Sequence, residues 1–416
     1  MSARLLITAD DLTGALDTGV QFAKKGLSVK VFSLDKEVSF TGAEIVAVNT
    51  NSRHLSKEEA YETVRDITER GRAAGVEYFY KKCDSTLRGN IAGELSGMLK
   101  GLNEGVIYFI PAYPKMGRTT KGGVHYINGV EISKSVFSKD PLNPIIESDI
   151  LKMLSSDTPE NIYINMCDEK AESYEKGIVV FDCETDSELE SIATMLKDKG
   201  AKVFAGCAGF AEYITDIADF EQRTEFHKDI PDNLFVVSGS INPVTLAQFE
   251  YAENSSFKVF TLSEEQRADS PFQGSYGTAM LRDRIIDELK SNRAVGVRSI
   301  KNLSDLNDMN VSKSMETAVS IAKRIGEIAS GVIKSSNTNT FIIGGDVLFE
   351  TLKKLAIKEI VPLGEPFPGV VEFEVEVDGI KKHLFSKAGG FGDERIIVRL
   401  YEYINSSKTL NQEKRI

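Results

Sequence analysis

The sequence predicts an α/β protein made of two α/β domains, each with a mostly parallel sheet. Three observations carry that expectation. Short apolar runs alternate with amphipathic helical patterns along most of the chain, an order that gives parallel strands with helices on both faces. The length of 416 residues exceeds one ordinary domain. A polar stretch at 222–233, carrying Pro231, separates two such alternations and places a first domain at 1–225 and a second at 233–416.

The first alternation opens with an apolar strand at 4–9. Asp10, Asp11, Leu12, Thr13 and Gly14 follow, then a helical pattern through Ala15, Leu16, Val20, Phe22 and Ala23. Lys24, Lys25 and Gly26 close it, a basic last turn before glycine. Strands are expected at 29–34 and 44–48, the second running into Asn49, Thr50, Asn51, Ser52 and Arg53. Ser56 and Glu59 have capping-box spacing for a helix to about Arg72. A fourth strand at 78–82 enters a dense polar loop, Lys82-Cys83-Asp84-Ser85-Thr86-Leu87-Arg88-Gly89, with an amphipathic pattern from Asn90. A fifth strand covers 106–110. The segment 111–130 holds two prolines and four glycines and reads as long and irregular, either a functional lid or an ordered surface excursion. Residues 140–144 are turn-rich. Strands at 177–181 and 203–205 each precede a helix, with Asp182 and the turn at 206–213 at their carboxyl ends.

The second alternation has strands at 234–237, 257–262, 294–299 and 340–343 and a strong amphipathic helix at 315–332. A helix at 348–356 and a hairpin-like pair at 371–377 and 383–388 precede a last helix. Residues 408–416 read as a polar, frayed tail.

Composition narrows the function classes. No apolar run approaches the roughly 18 residues that a membrane span needs, and the N-terminus lacks the apolar stretch of a secretory signal. A cytoplasmic protein is expected. A net charge of -12 argues against non-specific nucleic-acid binding. Cys83, Cys167, Cys183 and Cys207 are scattered, and the histidines are dispersed, so neither a zinc nor a disulfide framework is in view.

In parallel sheets ligands sit at the carboxyl ends of the strands. Three such ends in the first domain carry polar groups: Asp10 with Asp11, Asn51 with Arg53, and the loop holding Lys82, Asp84, Ser85, Thr86 and Arg88. Guanidinium binds carboxylate as a two-pronged fork, so Arg53 and Arg88 are candidate clamps, with bracing of its own loop as the alternative for Arg88. Lys82 is a candidate to neutralise an acid or a transferring phosphate. Asp84 or Asp11 would orient and deprotonate a hydroxyl, Asp84 being favoured because its loop holds the substrate-type groups. Asp393, in Gly390-Phe391-Gly392-Asp393, competes for that task, with helix capping as its other reading. The second domain offers three turns: Ser238-Gly239-Ser240, Gly344-Gly345-Asp346 and Ala388-Gly389-Gly390-Phe391-Gly392-Asp393. Glycine lets the backbone approach a ligand, and helix N-termini present N–H groups to phosphate. Neither a P-loop nor a dinucleotide fingerprint is present. One domain suits a polyhydroxy acid and the other a nucleotide. That pairing points to a kinase with its active site in the cleft between domains.

These motifs resemble the four-carbon acid sugar kinase family, long catalogued as a domain of unknown function. The likeness rests on Asp10-Asp11-Leu12-Thr13-Gly14-Ala15-Leu16-Asp17, the Lys82-to-Gly89 loop and Gly117-Arg118-Thr119 through Gly129. It continues in Ser238-Gly239-Ser240, Gly344-Gly345-Asp346 and Lys387-Ala388-Gly389-Gly390-Phe391-Gly392, so it runs from Leu5 to about Asp393. The resemblance implies a sugar-acid-binding N-terminal domain, a nucleotide-binding C-terminal domain, and ATP-dependent phosphorylation of acids such as threonate, erythronate or 3-oxo-tetronate. Carried over position by position, Asp11, Arg53, Lys82, Cys83, Asp84, Ser85 and Thr86 would contact the acid. Ser240, Gly344, Gly345, Asp346 and Gly389 would contact ATP, with Ser238 and Gly390 beside them. Magnesium (Mg2+) is expected with ATP, its protein ligands unassigned. The rival readings are a sugar-acid dehydrogenase or lyase and a non-catalytic sensor of acid or nucleotide. Which acid, which hydroxyl and which assembly are left open, a homodimer being the assembly considered.

Overall fold

The structure, a computed structural model, describes residues 2–33, 37–103, 105–139, 144–155, 161–165, 176–223, 231–267, 271–306 and 311–413. Most of the expected linker, most of the 140–144 turn and Cys167 lie outside the described residues. The chain divides into two compact units, Met1–Glu225 and Phe226–Ile416.

The first unit carries strands β1 (Leu5–Ala9), β2 (Val29–Ser33), β3 (Ile45–Asn49), β4 (Tyr78–Lys82), β5 (Val106–Ile110), β6 (Arg118–Lys121), β7 (Val124–Ile127), β8 (Val130–Glu131), β9 (Ile162–Asn165), β10 (Gly177–Phe181) and β11 (Val203–Gly206). Eight of them form a sheet in the order 2-3-1-4-11-5-10-9, every pairing parallel. Both faces are covered, so β1, β3 and β10 are buried along their whole length and read as unbroken apolar runs. The covering helices are α1 (Leu12–Ala23), α2 (Lys57–Ala73), α3 (Ile91–Leu102), α4 (Ile150–Ser155), α5 (Asp186–Asp198) and α6 (Ala208–Ile217). Asp11 caps α1, and Ser56 and Glu59 close the expected capping box on α2. Leu6, Phe79, Leu95, Ile107 and Val180 share the core on one face.

The segment 111–130 is ordered, as one of its two readings had it, but more regular than expected. It is not irregular: β6, β7 and β8 make a separate antiparallel sheet. Gly122 (φ 57°) and Gly123 (φ 73°) form the turn between β6 and β7. Two consecutive left-handed residues match the twist of a two-residue hairpin, which glycine adopts at little steric cost.

The second unit holds β12 (Leu234–Ser238), β13 (Lys258–Thr261), β14 (Ala294–Arg298), β15 (Asn339–Ile343), β16 (Glu359–Phe367), β17 (Val370–Val377) and β18 (Ile380–Lys387), ordered 13-14-12-15-18-17-16. The first five are parallel; β18, β17 and β16 continue the sheet antiparallel. Helices α7 (Pro243–Asn254), α8 (Glu264–Arg267), α9 (Pro271–Ser291), α10 (Val311–Ser335), α11 (Gly345–Lys354) and α12 (Ile396–Glu413) complete it. Sequence reading did not anticipate β16, whose Pro362, Gly364 and Pro366 argue against a strand. Its register shifts at Pro362 and Gly364 let it pair despite them. Helix α11 starts at Gly345, earlier than the expected 348. Helix α12 runs to Glu413, so residues 408–413 are helical rather than a frayed tail. Among the described residues no helix is long and apolar enough to cross a membrane.

Candidate active site

Strands β3, β1 and β4 are neighbours, and Ala9 is in register with both Asn49 and Lys82. Their carboxyl ends therefore align, and the three expected clusters meet. The chain leaves β1 toward β2 and β3 on one side, while β4 lies on the other. This is the kind of switch point where parallel sheets open a crevice.

Arg53 is the hub. Its Nε donates to Asp10 Oδ2 at 2.7 Å, one terminal nitrogen lies 2.9 Å from Asp11 Oδ2, and the other 3.6 Å from Asp84 Oδ1. Burial alone would lower the guanidinium pKa, but Asp10, Asp11 and Asp84 hold it well above the usual value. Asp84 is more heavily committed still. Oδ2 accepts from the Thr86 hydroxyl, the Thr86 amide (3.3 Å), the Arg88 amide (3.4 Å) and Arg88 Nε (2.8 Å). Oδ1 accepts from Arg88 at 3.0 Å. Burial by itself raises the Asp84 pKa, yet Arg53, Arg88 and Thr86 keep this carboxyl far below the ordinary carboxylate range. The loop is drawn tight enough that Leu87 takes a φ of 59° and Gly89 a φ of 93°. Arg88 also lies over the Phe137 ring at 5.6 Å.

Beneath this network Lys81 is fully buried and lies 3.1 Å from Glu94 Oε2, whose other oxygen accepts from Ser52. Lys82 Nζ donates to the Cys83 carbonyl at 2.6 Å. A Cβ on Gly14 would lie 2.7 Å from Asp11 Oδ1 and 3.0 Å from Lys82 Nζ. The glycine thus leaves both groups converging on the N-terminus of α1. Asp11 Oδ1 accepts from the Gly14 amide at 2.7 Å, and its side chain keeps 30% exposure. Ser85 is half-buried, and its hydroxyl makes no hydrogen bond among the described residues. Burial pushes the Cys83 thiol up to about 12, so it is inert packing rather than a nucleophile.

The β6–β7 hairpin is fastened to this loop by residues that sequence reasoning passed over. His125 Nε2 lies 3.2 Å from the Ser85 carbonyl and Nδ1 lies 3.0 Å from Thr120 Oγ1. Burial drops the imidazole pKa to about 4, so it is neutral; Nε2–H donates to the carbonyl and Nδ1 accepts from the hydroxyl. Asp182 accepts from the amides of Gly122 and Gly123 and holds the turn. Gly117 has a φ of 71°, and a Cβ there would sit 2.0 Å from Asn128 Oδ1, so glycine is favoured before Arg118. The readable signal for this hairpin was the Gly122-Gly123 pair between β-rich runs.

In the second unit Ser238 is in register with Ile343, and Ile343 with Lys387. The three expected turns therefore share one sheet edge. Ser238 Oγ accepts from the Ser240 amide at 3.0 Å, and Ser240 Oγ from the Asn242 amide at 3.2 Å. Thr245 donates to the Gly389 carbonyl at 2.6 Å, and a Cβ on Gly389 would meet Ser240 Oγ at 2.8 Å. Gly344, at φ 109°, precedes α11, with Gly345 and Asp346 in its first turn. Gly390 follows Gly389, and Gln248 Nε2 donates to the carbonyls of Phe391, Gly392 and Asp393. Lys387 is buried here; Nζ reaches only the carbonyls of Ala388 (3.2 Å) and Gly389 (3.3 Å) among the described residues. Burial lowers its pKa to about 7. Asp393 accepts from the Arg395 amide at 2.9 Å and pairs with Arg399 at 2.7 Å on the surface. Among the described residues no three metal-ligating side chains gather.

Two family models cover most of the chain: a sugar-binding N-terminal domain over residues 5–214 and a nucleotide-binding C-terminal domain over 235–397. The chain belongs to the four-carbon acid sugar kinase family. It is a kinase. Its relatives include a D-threonate kinase of Bordetella bronchiseptica, 26% identical over 97% of this chain and 98% of the relative. A D-erythronate kinase of Heliobacterium modesticaldum is 25% identical over 87% and 89%. A 3-oxo-tetronate kinase of Actinobacillus succinogenes is 23% identical over 93% and 96%. The fold is shared with Haemophilus influenzae protein HI1011 (TM-score 0.74, 21% identity, 96% of this chain and 99% of that one). It is also shared with a solved Salmonella typhimurium LT2 structure (TM-score 0.81, 18% identity, 95% and 98%).

Proposed function

We propose that this chain transfers the terminal phosphoryl group of ATP to a hydroxyl of a four-carbon sugar acid of the threonate, erythronate or 3-oxo-tetronate type. The observation that carries the reading is the convergence of Asp11 and Lys82 on the N-terminus of α1, with a half-buried Ser85 in the loop that leaves the same strand end as Lys82. Such a set grips a small hydroxylated anion and presents one hydroxyl for attack. The names of the relatives support the substrate class.

Phosphoryl transfer passes through a loose transition state and needs orientation and charge neutralisation more than a strong base. The hydroxyl oxygen bonds to the terminal phosphorus, the bond from that phosphorus to the bridging oxygen breaks, and ADP leaves. We assign the hydroxyl and its proton to Asp11 rather than to Asp84. Asp84 has both oxygens engaged by Arg53, Arg88 and Thr86, and so serves to hold the loop in shape. Asp11 also meets Arg53 and the Gly14 amide, but its side chain stays 30% exposed against 11% for Asp84, and Lys82 lies beside it. For the nucleotide, backbone amides at the start of α11 and at Gly389, with the Ser240 hydroxyl beside them, suit a phosphate chain, with the Lys387 ammonium as the nearby cation. Magnesium would be carried by phosphate oxygens and water and would supply further charge neutralisation.

The reading is tested by ADP release on a panel of four-carbon aldonic and oxo acids, with phosphorylated product identified by mass. Acid-dependent ADP formation with a phosphorylated product supports it. ATP turnover that ignores every acid, or acid oxidation with a nicotinamide cofactor, refutes it.

A further inference from the structure

The charged groups at the strand ends of the first unit differ in what they have left to offer. Arg53 is consumed by Asp10, Asp11 and Asp84. Arg88 is consumed by Asp84 through a two-pronged contact. Lys81 is consumed by Glu94. Two cations meet no carboxylate among the described residues: Lys82 and Arg118. Lys82 is a point charge beside Asp11, placed for the reacting hydroxyl. Arg118 is different. Its one side-chain hydrogen bond among the described residues runs to the Met116 carbonyl, and its buried Nε has no partner.

Strand geometry places the Arg118 fork. Residues two apart on a strand share a face, so Arg118 projects with Thr120. Thr120 is in register with His125, and His125 touches the Ser85 carbonyl. Arg118 is therefore delivered to the face of the hairpin that meets the Asp84–Ser85 loop. Its electrostatic coupling is consistent with that position: burial lowers the Arg118 pKa, and Cys207 and Asp84 partly restore it. A half-buried guanidinium with an unsatisfied Nε–H is costly unless an anion completes it.

We propose that Arg118 is the residue that receives the carboxylate of the sugar acid, as a planar two-pronged contact, and that it sets the preference for an acid over its uncharged analogue. The proposal rests on the functional reading above and adds to it the group that reads the acid end. Arg53 and Arg88 then shape the site from behind, while Arg118 faces the ligand. A carboxylate matches the guanidinium plane, whereas an alcohol or amide leaves one prong unmet.

The test compares wild type with Arg118→Met and Arg118→Lys on a four-carbon acid and on its primary amide. Melting temperature is recorded for each variant. Arg118→Met is expected to raise KM for the acid about 100-fold, with KM for ATP unchanged, and to bind acid and amide alike. Arg118→Lys keeps the charge but not the fork, and is expected to recover part of the affinity. Unchanged KM for the acid in both variants, with the acid still preferred over the amide, overturns the proposal. A fall in kcat alone, with acid preference intact, also overturns it. If Arg118→Met does not fold, Arg118→Lys decides by the same acid-over-amide ratio. Wild type that accepts no four-carbon acid refutes the functional reading itself, a result visible without any variant.

Discussion

In the first unit the carboxyl ends of β1, β3 and β4 carry a lattice of paired side-chain charges, with Arg53 tied to three carboxylates. In the second, the carboxyl ends of β12, β15 and β18 carry glycine and serine turns around one buried lysine with no carboxylate beside it among the described residues. On the proposed reading each unit offers the carboxyl ends of its own strands to a different kind of anion. A small acid with several hydroxyls needs many directional partners, and a pre-formed ion network holds those partners rigidly. A phosphate chain is long and highly charged, so on that reading amides and one cation suffice for it.

The contrast predicts unequal sensitivity to mutation. Arg53→Met should have the largest effect. It strands the buried Asp10, leaving Asp84 to Arg88, and removing one partner of such a network costs about 3–5 kcal/mol. Denaturant unfolding should show that loss together with abolished turnover. Lys387→Met should leave stability near wild type and cut kcat/KM for ATP about 100-fold, with KM for the acid unchanged. A lysine with a pKa of about 7 is mostly neutral at pH 8.5, and a phosphate beside it raises that pKa. Nucleotide binding at pH 8.5 should therefore take up a proton in wild type and none in Lys387→Met, as read by calorimetry in two buffers. Gly389→Ala places a methyl against Ser240 Oγ and should raise KM for ATP about tenfold, leaving acid binding alone.

A smaller effect tests the hairpin. The His125 pKa of about 4 lies below the ordinary 6.5, so its contribution to stability is complete above pH 6.5 and is lost as pH falls toward 4. Wild type should lose about 1–3 kcal/mol over that window, and His125→Gln should show a flatter profile in thermal melts. Smallest of all, Asp393→Asn should change kcat by about twofold or less, because Asp393 accepts from the Arg395 amide just ahead of α12 and pairs with Arg399 at the surface.

Much of this was legible in the residues. Strands β1, β4, β5 and β10 follow from apolar runs bounded by polar turns, and Asp10, Asp11, Arg53 and Lys82 stand out because they follow such runs. The two units contrast in what stayed hidden. Spacing shows that Arg53 and Asp84 are near a site, but it cannot show that they are spent on one another; that depends on the register of β3, β1 and β4. Arg118 stood in a quoted motif without a role and His125 went unremarked, because prolines and glycines at 111–129 suggest irregularity, and the tight Gly122-Gly123 turn that makes a hairpin uses the same residues. Lys387 lies in a quoted motif, yet its uncompensated burial appears only when β15 and β18 are paired.

One double comparison by titration calorimetry weighs the division of labour between the units. Arg118→Lys and Lys387→Met are each titrated with a four-carbon acid and with a non-hydrolysable ATP analogue. The expected result is a crossed pattern: weakened acid binding with normal nucleotide binding in the first variant, and the reverse in the second. Equal loss of both ligands in either variant, or loss of the nucleotide from the Arg118 change, would contradict it.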